Sequence, residues 1–406
     1  IFITSLSGSY DMNKSVLLLT TSIIFSSSSL WASDLSWGDP QENLGEIKLS
    51  GAIRTHFYSK DYQEKANEGQ NNLWRLADIR LVLDYENPDW LASIDGRCYR
   101  YDQLCDAVFL RHAWIGYKLN DEQRISLGLQ PINFGLGEFW GSSYYETLMN
   151  TLGFEDVSNL GIQYQLHHDD YHASFAFYPS DGGNYKGTSK DASRYTPNFV
   201  ESDDLTTGTH LKEKNMWIAR LTKKIELDER RQLSTELGTS FWYSEIENKR
   251  THRDGHRSTW NIFATTQFGQ WQWLSLYGQQ KINNHDDMFP DSSTMGAFDS
   301  NYQLANQGRY FLNEVNYTFE QPYFHLENIR PYLSHSRFFK DESGYKDSER
   351  LIGGIAFNYK AIGVQAEYLM SRNDPMNGGD AESLAQGNQT QNGWDKMFYL
   401  AVGYYF

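Results

Sequence analysis

Hydrophobic positions in this chain recur with a period of two. Phe398, Leu400, Val402, Tyr404 and Phe406 alternate with Tyr399, Ala401, Gly403 and Tyr405. Ile47, Leu49, Ile53, Thr55 and Phe57 alternate with Lys48, Ser50, Arg54 and His56, and Ile79, Leu81, Leu83 and Tyr85 with Asp78, Arg80 and Asp84. Successive side chains of a strand point to opposite faces, so each segment predicts a strand with one apolar and one polar face. About sixteen strands follow, near 46–58, 73–86, 90–100, 107–119, 123–131, 159–167, 170–178, 214–227, 231–245, 257–269, 271–282, 308–320, 325–338, 348–359, 362–372 and 396–406, each bounded to about two to four residues. A water-soluble sandwich turns such apolar faces inward, whereas a barrel in lipid turns them outward around a polar lumen. Alternation alone fits both.

The connections separate the two. Short turns fall at 86–89, 120–122, 167–170, 227–230, 269–270, 321–324 and 360–361. Between them lie mostly longer connections, at 59–72, 101–106, 132–158, 179–213, 246–256, 283–307, 339–347 and 373–395. Short turns at one end and longer loops at the other mark a transmembrane antiparallel β-barrel, and an even count leaves both chain ends on the short-turn side.

The N-terminal stretch agrees. Met12-Asn13-Lys14 precedes a short apolar run and then serines up to Leu30-Trp31-Ala32, the order of an export signal. This reading makes 1–11 an upstream extension, 12–32 a signal peptide cleaved after Ala32, and 33–406 the barrel. No other segment approaches the ~18 consecutive apolar residues that a transmembrane helix requires. The 27 Tyr, 23 Phe and 12 Trp suit aromatic girdles at two membrane interfaces. Export also places Cys98 and Cys105 in an oxidising compartment. They flank a six-residue stretch that predicts a hairpin tip, where a disulfide would join them.

The connection after the fifth strand is Gly- and aromatic-rich, from Pro131 through Gly135, Gly137, Phe139, Trp140, Tyr144 and Tyr145 to Glu155-Asp156. With the preceding Arg111-His112-Ala113-Trp114-Ile115-Gly116-Tyr117 and Ser126-Leu127-Gly128-Leu129-Gln130-Pro131, it resembles the general porin and porin O/P-type families over about fifty residues. The last strand, ending on Phe406, resembles those of bacterial outer-membrane proteins, whose terminal aromatic is read by the barrel assembly machinery. These resemblances imply a third outer loop folded inward as a constriction. They imply a water-filled outer-membrane channel of a Gram-negative bacterium for small solutes or sugars, among lipids and lipopolysaccharide, and a homotrimer. They do not carry over phosphate specificity, because no basic cluster lies in the third loop.

Strand parity and the loop supply the candidate pore lining: Arg54, Asp78, Arg80, Asp95 and Arg97 on the first three strands, and Glu138, Trp140, Tyr144 and Glu146 on the loop. Carboxylates facing a basic strip would set a transverse field across the pore. The loop aromatics suit either packing against the wall or stacking on sugars. The net charge of −16 argues against nucleic acid as a partner. It is unchanged by cleavage, since 1–32 carry one acid, Asp11, and one base, Lys14. It favours mild cation preference. No catalytic motif is present, no cofactor is expected, and His167, His168, His252 and His256 read as exposed loop histidines rather than metal ligands. Two alternatives remain: an oligosaccharide-selective or alginate-exporter-like barrel of eighteen strands, and an outer-membrane hydrolase with a plugged, narrower barrel.

Overall fold

The computed structural model describes residues 35–62, 71–100, 103–105, 107–182, 195–201, 207–297, 300–388 and 393–406. The upstream extension and signal segment lie outside them. Sixteen long strands form one sheet: β1 Gly45–Lys60, β2 Trp74–Glu86, β3 Trp90–Tyr99, β4 Ala107–Lys118, β5 Gln123–Pro131, β6 Ser158–His168, β7 Tyr171–Ser180, β8 Leu211–Asp228, β9 Leu233–Asn248, β10 Asp254–Phe268, β11 Trp271–Asn283, β12 Gln307–Tyr317, β13 Glu327–Lys340, β14 Ser348–Tyr359, β15 Ile362–Arg372 and β16 Asp395–Tyr405. Each pairs antiparallel with its sequence neighbour. The ring closes where β16 pairs with β1, from Ala52↔Tyr405 to Lys60↔Met397. At the seam Phe406 and Gly51 exchange backbone hydrogen bonds of 2.8 and 3.1 Å. A ring closed at sixteen excludes the eighteen-stranded alternative.

The faces are inverted relative to a soluble protein. Ile53, Leu81, Ile94, Leu127, Ile162, Phe175, Leu237, Ile262 and Leu333 are exposed on the outside, whereas Arg54, Asp78, Asp95, Arg111, Glu213, Arg257, Glu314, Arg350 and Glu367 are buried on the inside. Exposed apolar surface on this scale is stable only against lipid. Aromatic pairs mark both rims. Trp90–Tyr117 and Trp271–Tyr317 lie at the short-turn end, with centroids 4.8 and 4.9 Å apart. Phe57, Trp74 and Phe398 cluster at the other, 5.7 and 6.4 Å apart.

The strands follow the periodicity, and the differences have local causes. The turn between β12 and β13 runs from 318 to 326 rather than 321–324, because Pro322 has no N–H for a ladder and Phe324 and His325 take positive φ of 51° and 64°. The connection between β9 and β10 shrinks to 249–253, since both strands continue beyond the predicted ends. A short strand, Leu35–Asp39, pairs with the start of β1 on the edge that β16 leaves free beyond Phe406. Three further short strands, Asn198–Phe199, Ser292–Ala297 and Ser300–Ala305, build a small sheet from the outer loops.

Candidate functional site

The segment from Ile132 to Val157 leaves β5 and touches the inner faces of strands all round the ring. Gly135 N–H donates to Ser240 on β9 at 2.9 Å, and its carbonyl accepts from Arg220 on β8 at 2.8 Å. Ser142 binds the Glu314 carboxylate on β12 through its N–H, at 2.9 and 3.0 Å, and its hydroxyl, at 2.6 Å. Tyr144 and Tyr145 N–H groups donate to the two oxygens of Glu367 on β15, at 2.7 and 3.2 Å. Leu148 N–H donates to Ser336 on β13 at 3.0 Å. Two buried arginines complete the attachment. Arg350 on β14 donates to the carbonyls of Glu146 and Thr147 and to the Thr151 hydroxyl at 2.9–3.1 Å, held in turn by Asp374 at 2.7 Å. Arg257 on β10 reaches the Leu152 carbonyl at 3.1 Å and lies 4.7 Å from the Trp242 ring centroid.

Inside these contacts the loop has its own core. A single helical turn, α1 (Leu148–Thr151), is capped by Thr147, whose side chain accepts from Met149 N. Phe134, Trp140, Leu148, Met149, Leu152 and Phe154 are all within 1 % of full burial and pack on Trp242, Tyr310, Phe199 and Met295. Gly135, at φ +58°, lies under the Trp140 indole, where a Cβ would sit 2.2 Å from a ring atom. The side chain of Glu155 ties the loop to itself, accepting from Trp140 N at 2.9 Å, Thr147 N at 3.0 Å and the Thr147 hydroxyl at 2.6 Å. Burial pushes the Glu155 carboxyl up to about 7 despite those donors. Burial, then the neighbouring Asp156 and Glu155, push the Glu146 carboxyl well above the ordinary carboxylate range.

Opposite this face stands a ladder of arginines and acids. Arg54 pairs with Asp78 at 2.5 Å. Asp95 is shared by Arg97 at 2.9 Å and Arg80 at 3.0 Å, with Arg111 at 3.9 Å. Arg111 in turn grips Glu138 and Asp156 of the loop. Tyr195, from the connection between β7 and β8, accepts from Arg97 at 2.6 Å and donates to Asp156 at 2.6 Å. The Arg54 guanidinium lies 5.5 Å from the Tyr144 ring centroid. Arg80 and Glu138 keep the most exposure within the ladder, 22 % and 27 % of their side chains.

Of the residues expected at a constriction, Arg54, Asp78, Arg80, Asp95, Arg97, Glu138 and Tyr144 therefore lie together along one wall and the loop face beside it. Trp140 does not: it is wholly buried in the loop core, its indole N–H spent on the Gly137 carbonyl at 2.9 Å, because packing the loop needs a large apolar anchor. Glu146 sits in the loop too, half-buried beside Asp156 and Glu155, which with burial push its carboxyl upward. Cys98 and Cys105 are joined in a disulfide at the outer end of β3, with Cα atoms 4.8 Å apart. The pore-lining candidates read from the sequence do not include Arg111, Arg257, Arg350 or Glu314. Arg350 shares the inward phase of Gly354 and Asn358, so parity held a signal for it. Arg111 is obscured because it is itself a bulge residue: Asp95 pairs with His112 and Gly96 with Leu110, so the alternation along β4 slips by one at Arg111.

No family model matches the chain, and no curated protein matches it significantly. Solved structures do. The outer membrane channel DcaP of Acinetobacter baumannii superposes with a TM-score of 0.60 at 12 % identity, covering 90 % of this chain and 99 % of that one. Salmonella typhi OmpF, solved with daunomycin, gives 0.59 at 11 % identity, over 92 % and 100 %. The chain has the porin fold. The trimer form of OmpT, an outer membrane protein of Vibrio cholerae, shares that porin fold with a TM-score of 0.52 at 10 % identity, over 89 % and 99 %. Identities this low speak for the fold and leave the chemistry of the lumen to be argued from the residues themselves.

Proposed function

We propose that this protein is a non-enzymatic porin of a Gram-negative outer membrane, a water-filled channel through which small hydrophilic solutes and ions diffuse. The observation that carries the reading is the inverted barrel crossed by a hydrogen-bonded loop. A lumen walled by charged side chains suits water, and a loop pinned across it sets a size limit without a moving part. Residues 12–32 would be removed on export. Phe406 would be the residue read during assembly, and the outer rim would meet lipopolysaccharide. A trimer agrees with the trimeric form of a protein of the same fold. The test is single-channel recording in a planar bilayer with refolded protein. Stepwise, ohmic conductance with slow or absent gating is expected, and liposomes should swell in small sugars faster than in large ones. A barrel that folds, shows heat-modifiable mobility and yet passes no current would defeat the proposal.

A further inference from the structure

His167 and His172 are not in a turn. They stand at the short-turn end of β6 and β7 as directly opposed residues, separated by the tight Asp169-Asp170 turn that follows His168. Both share the inward phase, His167 with Gln163 and Gln165 and His172 with Ser174 and Ala176, which are buried on the lumen side. The His167 N–H donates to the Glu122 carbonyl at 2.8 Å, away from β7. The pair is therefore a non-hydrogen-bonded one, the kind in which facing side chains approach most closely. Their ring centroids are 4.5 Å apart at an interplanar angle of 53°. Two imidazole nitrogens at about 2 Å from one ion lie roughly 3 Å from each other, a separation that such rings reach by small χ rotations. His167 is exposed and His172 half-buried, so an ion has access from the mouth.

We propose that His167 and His172 form a two-imidazole site for a borderline-soft divalent transition ion, Cu²⁺ above all, with water completing the coordination. Neutral imidazole suits Cu²⁺, Ni²⁺ and Zn²⁺ and is a poor ligand for Mg²⁺ or Ca²⁺. Copper tolerates a tetragonal set half made of water, and it heads the affinity order for nitrogen sites. Among the described residues no third His, Cys, Asp or Glu joins the pair in one cluster. The site is accordingly open rather than structural, and its ion exchanges. The nearest guanidiniums have other partners. Arg124 donates to Gln165 at 2.5 Å, and Arg220 to the Gly135 carbonyl at 2.8 Å and to Glu236 at 3.5 Å. Beside the pair, the Thr222 hydroxyl, paired in register with His172, is buried, has no hydrogen-bond partner among the described residues and offers a further oxygen to a bound water. On the porin reading this places a dication at the periplasmic mouth, where it would narrow the passage and oppose cation entry.

The site is tested with CuCl₂ and the full refolded barrel, wild type beside H167Q, H172Q and H168Q, each checked for folding by heat-modifiable mobility. Calorimetric titration should show one Cu²⁺ per chain in the wild type and in H168Q. Affinity should fall at least tenfold in H167Q and in H172Q, while MgCl₂ gives no heat in any of them. In the bilayer, Cu²⁺ on the short-turn side should lower the wild-type conductance, and EDTA should restore it. Binding that survives H167Q and H172Q, or no binding at millimolar Cu²⁺, overturns the proposal. Because titration needs no current, a barrel that binds copper but does not conduct would sink the porin reading and leave the metal site standing.

Discussion

Single side chains decide whether the third loop stays in the lumen. Arg350 is the most heavily used: it caps two carbonyls and a hydroxyl of the loop and neutralises Asp374, which is fully buried. Replacing it with alanine strands that carboxylate, a change that typically costs about 3–5 kcal/mol. R350A should therefore lower the thermal transition of the detergent-solubilised barrel and raise single-channel conductance. An unchanged conductance would mean that the loop is held without it. Glu155 makes a second prediction, with a sign. Its folded value, raised to about 7, lies above the ordinary carboxyl range. The stabilisation from the neutral acid is complete below about 4.5, the ordinary glutamate range, and is lost as pH rises through about 7. The thermal transition should fall between pH 5 and pH 8, and E155Q, neutral throughout, should flatten that slope. A slope of the same size in E155Q would assign the effect elsewhere.

Elements are where the sequence was most and least legible. Period-two patterning located every barrel strand, because a lipid-facing position tolerates little but apolar side chains and so writes itself into the sequence at Ile53, Leu81 or Leu333. Tight turns were legible for the same local reason, as at Gly269-Gln270 and Lys360-Ala361, where Gly269 and Lys360 adopt positive φ. What the outer loops do in space was not legible. The sheet that brings Phe199 beside Met295 joins segments far apart in the chain, and no local pattern encodes such a meeting. The same holds for the loop anchors. Glu314 looks like any inward acid until Ser142 is seen to bind it. Trp140 belongs to the loop core and not the pore lining: an aromatic in a Gly-rich loop fits both places equally well by sequence, and only its packing with Phe134 and Phe154 decides. Glu314 and Glu367 form the loop's attachment to the far wall, and both are buried carboxylates holding backbone N–H groups. E314A and E367A should each increase open-channel current noise, and the double variant should exceed the sum of the two, since one anchor limits the motion that the other permits. Strictly additive noise would show that they hold separate parts of the loop.

At the scale of the whole molecule, charge is balanced where it matters most. Arg54, Arg80, Arg97 and Arg111 face Asp78, Asp95, Asp156 and Glu138, while the net excess of sixteen acids is spread over the rest of the chain. At physiological salt the screening length is about 8 Å, so remote acids act weakly on the passage. Mild cation preference, growing as salt falls, is the expected result of a reversal-potential measurement in a KCl gradient. E138Q should move it toward chloride and R80Q toward potassium. Chloride preference in the wild type at low salt would show that the arginine wall governs. The seam between β1 and β16 carries a different consequence. Its partners come from opposite ends of the sequence, so the strand that starts the ring keeps an unpaired edge until the last one is made. An open edge is a template for pairing with other chains. Closing it requires the most distant contact in the chain, the kind that forms slowly. Before closure the short strand Leu35–Asp39 pairs only part of that edge. The half-built barrel is therefore exposed to aggregation for as long as its final strand is missing, and protection during that interval has to come from outside the chain.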